Sequence, residues 1–496
     1  MPPAGLAMNF IPDIGALKQR AMEGMYWNAV EIFIRFGLQF GVTVILARLL
    51  TPEEFGIVAL TYIFTGIVGI LIDSGFGAAI VQQRNVDEQE MSTIFHLQWL
   101  LALVIGVGLG LVSPWIAMFC GYPVLVPLIW TMALVLLINT LGGVHQSLLS
   151  RTLNFRPLVI ARLTSTLLGG GVAVFAAFRG FGVWALALQT VIGAVVYISA
   201  VWLFCSWRPQ MVFRWNLLSR SFEFGGFVFL MGLLDAIYGR LYWLAIGKIY
   251  GAADLAQYNR AEATQGVPLG MVIGLVSRVA YPAFSAVKDD EQRLKVGLRK
   301  AVIGVMSVTI PTMFGIWAVA EPLVITFFGD VWRPSVPILQ IVCLAGPVVA
   351  LHVINFQMLL ALGHSRLCFR IEVAEKSVGI VFTLAAVPFG LEAIAWSQLI
   401  YRVVCYGIHA HYTKRLLGYG ALAQLWDCLP WLFAGALMGF SVRFLQFLLP
   451  MAAPSLLTVQ VVFGATLYMI FWLVWDVKSL REMMLVIIPG RKIVKA

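Results

Sequence analysis

Apolar residues fall in runs of about 20 positions along nearly the whole chain, separated by short polar turns. A run of that length crosses ~30 Å of hydrocarbon as a helix. The pattern predicts fourteen such helices. Six lie near 25–46, 55–80, 92–112, 123–142, 158–178 and 182–204. Six more lie near 222–246, 264–286, 300–320, 336–360, 371–389 and 392–412, and the last two near 429–448 and 455–475. The run 264–286 is broken by Gly266, Pro268, Gly270, Gly274 and Pro282. Membrane helices tolerate such residues where neighbours or water satisfy the freed backbone. No connection exceeds about 20 residues, so no soluble domain is expected.

Composition agrees. Of 496 residues, 60% are hydrophobic and 12% charged, against roughly 25% charge in a soluble chain. An all-α polytopic membrane protein follows. The basic residues then set its orientation, because Lys and Arg accumulate on the cytoplasmic side. With a cytoplasmic N-terminus, 22 Lys and Arg fall in inside segments and 6 in outside segments: Arg48, Arg179, Lys248, Arg260, Arg333 and Arg443. The net charge of +10 is therefore a topology signal. No basic block on a polar domain suggests nucleic acid.

A short turn is written twice. Residues 47–60 read ARLLTPEEFGIVAL and residues 247–260 read GKIYGAADLAQYNR, so Arg48 falls on Lys248, Glu54 on Asp254 and Gly56 on Ala256. Both turns link an odd helix to the next, in the same direction. The reading is a parallel repeat of two six-helix lobes, 25–204 and 222–412, followed by helices in 429–475. Residues 1–24 and 476–496 are the cytoplasmic ends, the first with the makings of a surface helix rather than a cleaved signal. Transporters use such repeats to rock two lobes about a site between them.

Charges inside apolar runs are the candidate site residues, since each costs roughly 2.5–3.5 kcal/mol if it faces lipid at mid-membrane. Glu31, Arg35, Asp73, Arg162, Glu223, Asp235, Arg240, Arg278, Glu372, Glu375, Lys376 and Arg402 are in this position. Asn28, Glu31, Arg35 and Gln39 form one polar stripe at helical spacing. Its alternative is a Glu31–Arg35 pair that only braces the helix. Asp235, Tyr238 and Tyr242 share a comparable face, with Arg240 nearby, and Asp235 has the repeat offset from Arg35. Arg278 is the candidate for a phosphate group, because Arg grips phosphate with a planar fork and stays charged; pairing with a carboxylate is the alternative. Asp73 and Asp235 are candidates for a coupling ion.

Other chemistry is not written in the chain. It has no G-x-x-x-x-G-K-[ST] phosphate loop, no H-E-x-x-H and no G-x-S-x-G. The glycines at 106, 108 and 110 lie inside an apolar run, where close helix packing explains them. His409 and His411 are two apart and cannot share a helical face. The six cysteines have no metal or redox spacing, and only Cys120 is placed outside. No cofactor, metal site or disulfide is expected.

The segment 46–83, LARLLTPEEFGIVALTYIFTGIVGILIDSGFGAAIVQQ, resembles the start of Wzx-type polysaccharide exporters of the multidrug/oligosaccharidyl-lipid/polysaccharide (MOP) superfamily. The resemblance rests on Leu-Thr-Pro-Glu-Glu-Phe-Gly, then Asp73-Ser74-Gly75-Phe76-Gly77, then Gln82-Gln83, with SRTLNFR at 150–156 in support. The colanic-acid and xanthan type is the nearest subgroup. The second lobe matches only in span layout. The resemblance implies a bacterial inner-membrane flippase for an undecaprenyl-pyrophosphate-linked oligosaccharide, serving exopolysaccharide or lipopolysaccharide synthesis beside a polymerase and glycosyltransferases. Two rivals stand: a lipid-linked peptidoglycan-precursor flippase or multidrug exporter of the same superfamily, and a membrane-embedded enzyme of polysaccharide assembly. The short outside loops weigh against the enzyme. Helices beyond the twelfth weigh against the drug exporter and suit a groove for a lipid tail.

Overall fold

The computed structural model describes residues 34, 37–73, 80, 87–151, 156–214 and 218–475, and of these the side chains of all but 218–231, 275, 278, 365, 474 and 475. The described chain is helical, with no strand among the described residues. In order the helices are α1 (Gly37–Leu49), α2 (Pro52–Asp73), α3 (Glu88–Cys120), α4 (Leu125–Arg151), α5 (Arg156–Phe178) and α6 (Val183–Phe204). Then come α7 (Leu218–Ile249), α8 (Ala252–Ala286), α9 (Glu291–Ala318), the short α10 (Ala320–Phe327) and α11 (Ser335–Ala361). The last are α12 (Ser365–Ala386), α13 (Leu391–Leu417), α14 (Ala421–Leu448) and α15 (Ala453–Trp475). Every predicted run overlaps one of them. Among the described residues, ten helices are long and apolar enough to cross a membrane. Helix α12 falls short because Arg366, Arg370, Glu372, Glu375 and Lys376 share its 22 residues.

Two compact units divide the chain. One holds residues up to Leu50 and Thr61–Ala236; the other holds Thr51–Leu60 and everything from Ile237. In both, large apolar side chains are exposed on outer faces, among them Leu111, Phe175 and Leu203 in the first and Val381, Phe433 and Phe447 in the second. Polar side chains such as His145, Asn355, Thr413 and Gln424 are fully buried. Apolar outside with polar inside is the arrangement lipid imposes, since a polar group facing hydrocarbon loses its water without recompense.

The repeated turn has a local cause. Thr51 caps α2: Glu54 N donates to Thr51 Oγ1 (3.3 Å), and Thr51 N donates to Glu54 Oε2 (2.7 Å). This reciprocal capping box, with Pro52 at the first helical position, satisfies backbone donors that a helix start leaves open. The second copy keeps the bounds: α1 ends at Leu49 and α2 starts at Pro52, while α7 ends at Ile249 and α8 starts at Ala252. It replaces the cap with Gly251 at φ 96°, a left-handed conformation that suits glycine.

One expectation needs correction. Helix α8 is continuous from Ala252 through Pro268 and Pro282, so the proline- and glycine-rich run is not a break and the helix starts well before 264. Cys120 ends α3 but is buried, as are the other five cysteines, all free. An impermeant thiol reagent would meet a shielded sulfur there, so Cys120 is a poor topology marker.

The second unit has the larger core. Val276 and Phe284 of α8, Leu298 and Val302 of α9, Ile354 and Met358 of α11, and Trp431 of α14 pack in one buried cluster. Within it Asn355 and Gln424 form a reciprocal amide pair: Asn355 Nδ2 donates to Gln424 Oε1 and Gln424 Nε2 donates to Asn355 Oδ1, both at 2.9 Å. Thr413 Oγ1 adds a donor to Asn355 Oδ1 at 2.8 Å. Gln424→Leu should cost about 1 kcal/mol or more, because Asn355 loses one donor and one acceptor and keeps only Thr413 and the Leu351 carbonyl. The double change Asn355→Leu with Gln424→Leu should cost less than the sum of the two single changes in a melting experiment, because the reciprocal pair is then removed whole.

Candidate functional site

The sequence-selected residues divide three ways. Asn28, Glu31 and Arg35 lie outside the described residues, so of the helix-one stripe only Gln39 is placed, exposed on α1. Arg278 is placed in its backbone alone, in the last third of α8. The others are described in full. Asp73 is exposed at the end of α2 and Asp235 is exposed on α7. Tyr238, Arg240 and Tyr242 follow one turn later and belong to the second unit.

Those three do meet partners. Tyr238 is buried; its hydroxyl donates to Gln398 Oε1 at 3.0 Å, and Gln398 Nε2 donates to Thr383 Oγ1 at 2.9 Å. The Lys376 ammonium sits 5.1 Å over the Tyr238 ring, and Tyr401 packs 5.1 Å from it on another side. Lys376 also faces Glu372 at 3.8 Å, a one-turn ion pair. Tyr242 donates to Glu262 Oε1 at 2.9 Å, and the Trp243 indole donates to Glu262 Oε2 at 2.9 Å. Arg240 lies 5.0 Å over the Trp243 ring. Helices α7, α8, α12 and α13 thus share a polar interior of tyrosines, amides and paired charges. Hydroxyls, amides and aromatic faces together are what a sugar needs in place of water.

A second cluster lies on α11, α12 and α13. His409 Nδ1 is 2.9 Å from Glu375 Oε1, and His352 Nε2 is 3.5 Å from Glu375 Oε2. The two imidazoles stand at 89° with centroids 4.4 Å apart. Glu375 and His409 are buried, and His352 nearly so. His411 is exposed, as its spacing from His409 requires. The spacing argument was right about that pair, but the partners of His409 come from other helices.

Several members escaped the sequence reading. Glu262 sits in QYNRAEATQ, a polar stretch that reads as a loop. Gln398, Thr383 and His352 are uncharged single positions in apolar runs, without a signal of their own. Glu372, Glu375 and Lys376 were flagged as charges in a span, and the structure pairs them. In the first unit, His145 is buried between Trp202 (centroids 4.6 Å) and Trp207 (5.1 Å), and Tyr197 donates to Gln146 at 3.1 Å.

Comparison with known proteins follows the fold and the interior. The chain is 28% identical to the succinoglycan biosynthesis transport protein ExoT of Rhizobium meliloti (strain 1021), over 84% of this chain and 85% of that one. It is 25% identical to the lipopolysaccharide biosynthesis protein WzxC of Escherichia coli (strain K12), over 67% and 68%. It is 26% identical to the teichuronic acid biosynthesis protein TuaB of Bacillus subtilis (strain 168), over 78% and 81%. Among solved structures, the lipid II flippase MurJ in an inward closed conformation superposes with a TM-score of 0.76 at 14% identity, covering 93% of this chain and all of that one. An inward-facing multidrug resistance MATE family transporter of the MOP superfamily superposes at 0.60 with 16% identity, over 78% and 98%. Those two likenesses establish a MOP-type fold. The model of the family described as polysaccharide biosynthesis protein matches residues 45–337, more than half the chain. That match shows that the chain belongs to the polysaccharide biosynthesis protein family, and its helices have the MOP-type fold.

Proposed function

We propose that the protein flips an undecaprenyl-pyrophosphate-linked oligosaccharide from the inner to the outer leaflet of the bacterial inner membrane, for exopolysaccharide or lipopolysaccharide synthesis. The observation that carries this reading is the polar interior around Tyr238, Gln398, Thr383 and Glu262 in a chain of this family. A sugar crossing hydrocarbon must exchange water for such groups. Family relatives named for succinoglycan, lipopolysaccharide and teichuronic acid biosynthesis point to the same class of cargo.

In this reading residues 25–204 and 222–412 are two lobes that alternate access, and 429–475 flanks the path of the lipid tail. Both termini are cytoplasmic, as the basic bias directs. Arg35 and Arg278 meet the diphosphate, while Gln39, Tyr238 and Tyr242 line the sugar path. Asp73 and Asp235 remain candidates for a coupling ion. A polymerase and glycosyltransferases are the expected neighbours in the membrane.

The sequence contains no phosphate loop, so the driving force is a gradient or the removal of product. Purified protein in liposomes should carry a fluorescent lipid-linked oligosaccharide to the opposite leaflet, read as loss or gain of cleavage by an added glycosidase. Adding ATP should change nothing. Failure to move any lipid-linked glycan, or a direct ATP requirement, would overturn the proposal.

A further inference from the structure

We infer that His352, Glu375 and His409 form a binding site for a divalent transition-metal ion of the zinc class. The donor set is two imidazoles and one carboxylate, a combination that zinc-type ions take up with one position left open. Each donor stands on a different helix, α11, α12 or α13, so the ligands are held by rigid elements and an ion would tie all three together.

The spacing suits the ion. One donor atom from each residue lies within 4.8 Å of the others. Around a tetrahedral ion with bonds near 2.0–2.1 Å, neighbouring donors are about 3.3 Å apart. The two recorded approaches, 2.9 Å for His409 Nδ1 to Glu375 Oε1 and 3.5 Å for His352 Nε2 to Glu375 Oε2, bracket that value. Shifts of a few tenths of an ångström would bring these two pairs, made to the two different Glu375 oxygens, to that value, and because the whole set is confined only to 4.8 Å a ring must also turn inward to close on one ion.

Hydrogen bonding alone does not account for the cluster. Glu375 Oε1, His352 Nε2 and His409 Nε2 are buried without a hydrogen-bond partner, although Glu375 Oε1 has His409 Nδ1 at 2.9 Å. The approach is short but not along a hydrogen-bond direction. Leaving such atoms unsatisfied in the interior is costly, and Glu375 Oε1 and His352 Nε2 belong to facing residues of the cluster, where a bound ion would satisfy both. His409 Nδ1 is also 3.2 Å from the Cys405 carbonyl, which can orient the ring. The ion would take whichever His409 nitrogen gives up its proton.

Charge and access are consistent. One carboxylate leaves a bound divalent ion at +1, which a hydroxide in the open position would neutralise. Glu372, one turn before Glu375, is committed to Lys376. Phe356 closes the far side of the His409 ring at 5.8 Å. His352, with a 13% exposed side chain against 0% and 2% for its partners, is the open edge by which an ion would enter.

The rival is a plain His–Glu–His brace between helices. Metal binding separates the two without any transport assay, so the result does not depend on the cargo proposed above. Full-length protein in detergent, stripped with a chelator, should take up one Zn2+ per chain. Co2+ should give visible absorption of a four-coordinate site. Glu375→Gln and His409→Gln should weaken binding by about tenfold or more, and His411→Gln should leave it unchanged. If those buried variants fail to fold by circular dichroism and gel filtration, His352→Gln at the open edge supplies the same test. The inference falls if the wild type takes up no stoichiometric metal, or if a folded ligand variant binds as the wild type does.

Discussion

Arg278→Ala is expected to leave an inserted protein that no longer flips its cargo. The argument starts from where α8 carries this residue. The helix runs unbroken from Ala252 to Ala286, so position 278 lies inside the membrane-crossing stretch rather than in a loop. Around it the helix is mixed: Val276 and Ala280 are in the core of the second unit and Ser277 Oγ accepts from Gln357 on α11 at 3.2 Å, while Val279 and Tyr281 are exposed, so this turn of α8 borders the interior. A diphosphate entering that interior carries charge that only a cation can offset. Two charge-assisted hydrogen bonds from one guanidinium are worth about 1.5–3 kcal/mol each. Their loss predicts a fall in transport of roughly two orders of magnitude or more. Arg278→Lys keeps the charge but loses the fork and should recover only part. Protease accessibility should show that both variants insert. Wild-type flipping by Arg278→Ala would remove Arg278 from the site.

How far the sequence reached can be read from α8 itself. Hydropathy located the long apolar runs that became helices, though not the short α10, because a segment that faces lipid must be apolar over its whole length. It misjudged the start of α8 because Gln257, Arg260, Glu262 and Gln265 face protein instead. Gln257 donates to the Val331 carbonyl at 2.9 Å, and Glu262 receives Tyr242 and Trp243. The Arg260 guanidinium lies 4.5–4.8 Å from the rings of Phe55, Phe328 and Trp332. A scale that measures transfer to hydrocarbon has no term for a wall of aromatic rings or a ready carboxylate acceptor.

The site was legible to the same extent. Spacing along one helix singled out Tyr238 and Tyr242, and cost in a span singled out the charges of α12, and the structure gives each of them polar partners. The His352–Glu375–His409 cluster was not singled out as a set, because its members come from three helices and no local pattern links them. Of the glycines at 106, 108 and 110, only Gly110 is a close-packing residue: an added Cβ would lie 2.6 Å from the Trp130 ring, whereas Gly106 has ordinary contact room and Gly108 has open space. The capping box in TPEE shows the opposite case, where four adjacent residues determined a helix start unaided.

Gly56→Ala is expected to be among the most damaging single-methyl changes in the chain. A Cβ at Gly56 would fall inside the carbonyl group of Ala252, on backbone that cannot rotate away. Residues 51–60 are held in the second unit from several sides. Phe55 meets Trp332 edge-on at 5.4 Å, and Leu60 covers Gly247 so closely that a Cβ there would lie 2.6 Å from it. Helix propensity favours Ala over Gly by about 1 kcal/mol, so a neutral or stabilising result would follow if only the helix mattered. Overpacking typically costs about 1–3 kcal/mol and occasionally more. A clash with backbone belongs at or above the upper end, because no side-chain rotamer relieves it. The net expectation is a sharp drop in folded yield and melting temperature, with residual transport lost in proportion. Gly171→Ala is the matched control, since nothing lies within 4 Å of its added Cβ, and it should be neutral or slightly stabilising. A Gly56→Ala protein that melts with the Gly171→Ala control would show that the first turn of α2 does not rest on the Ala252 backbone.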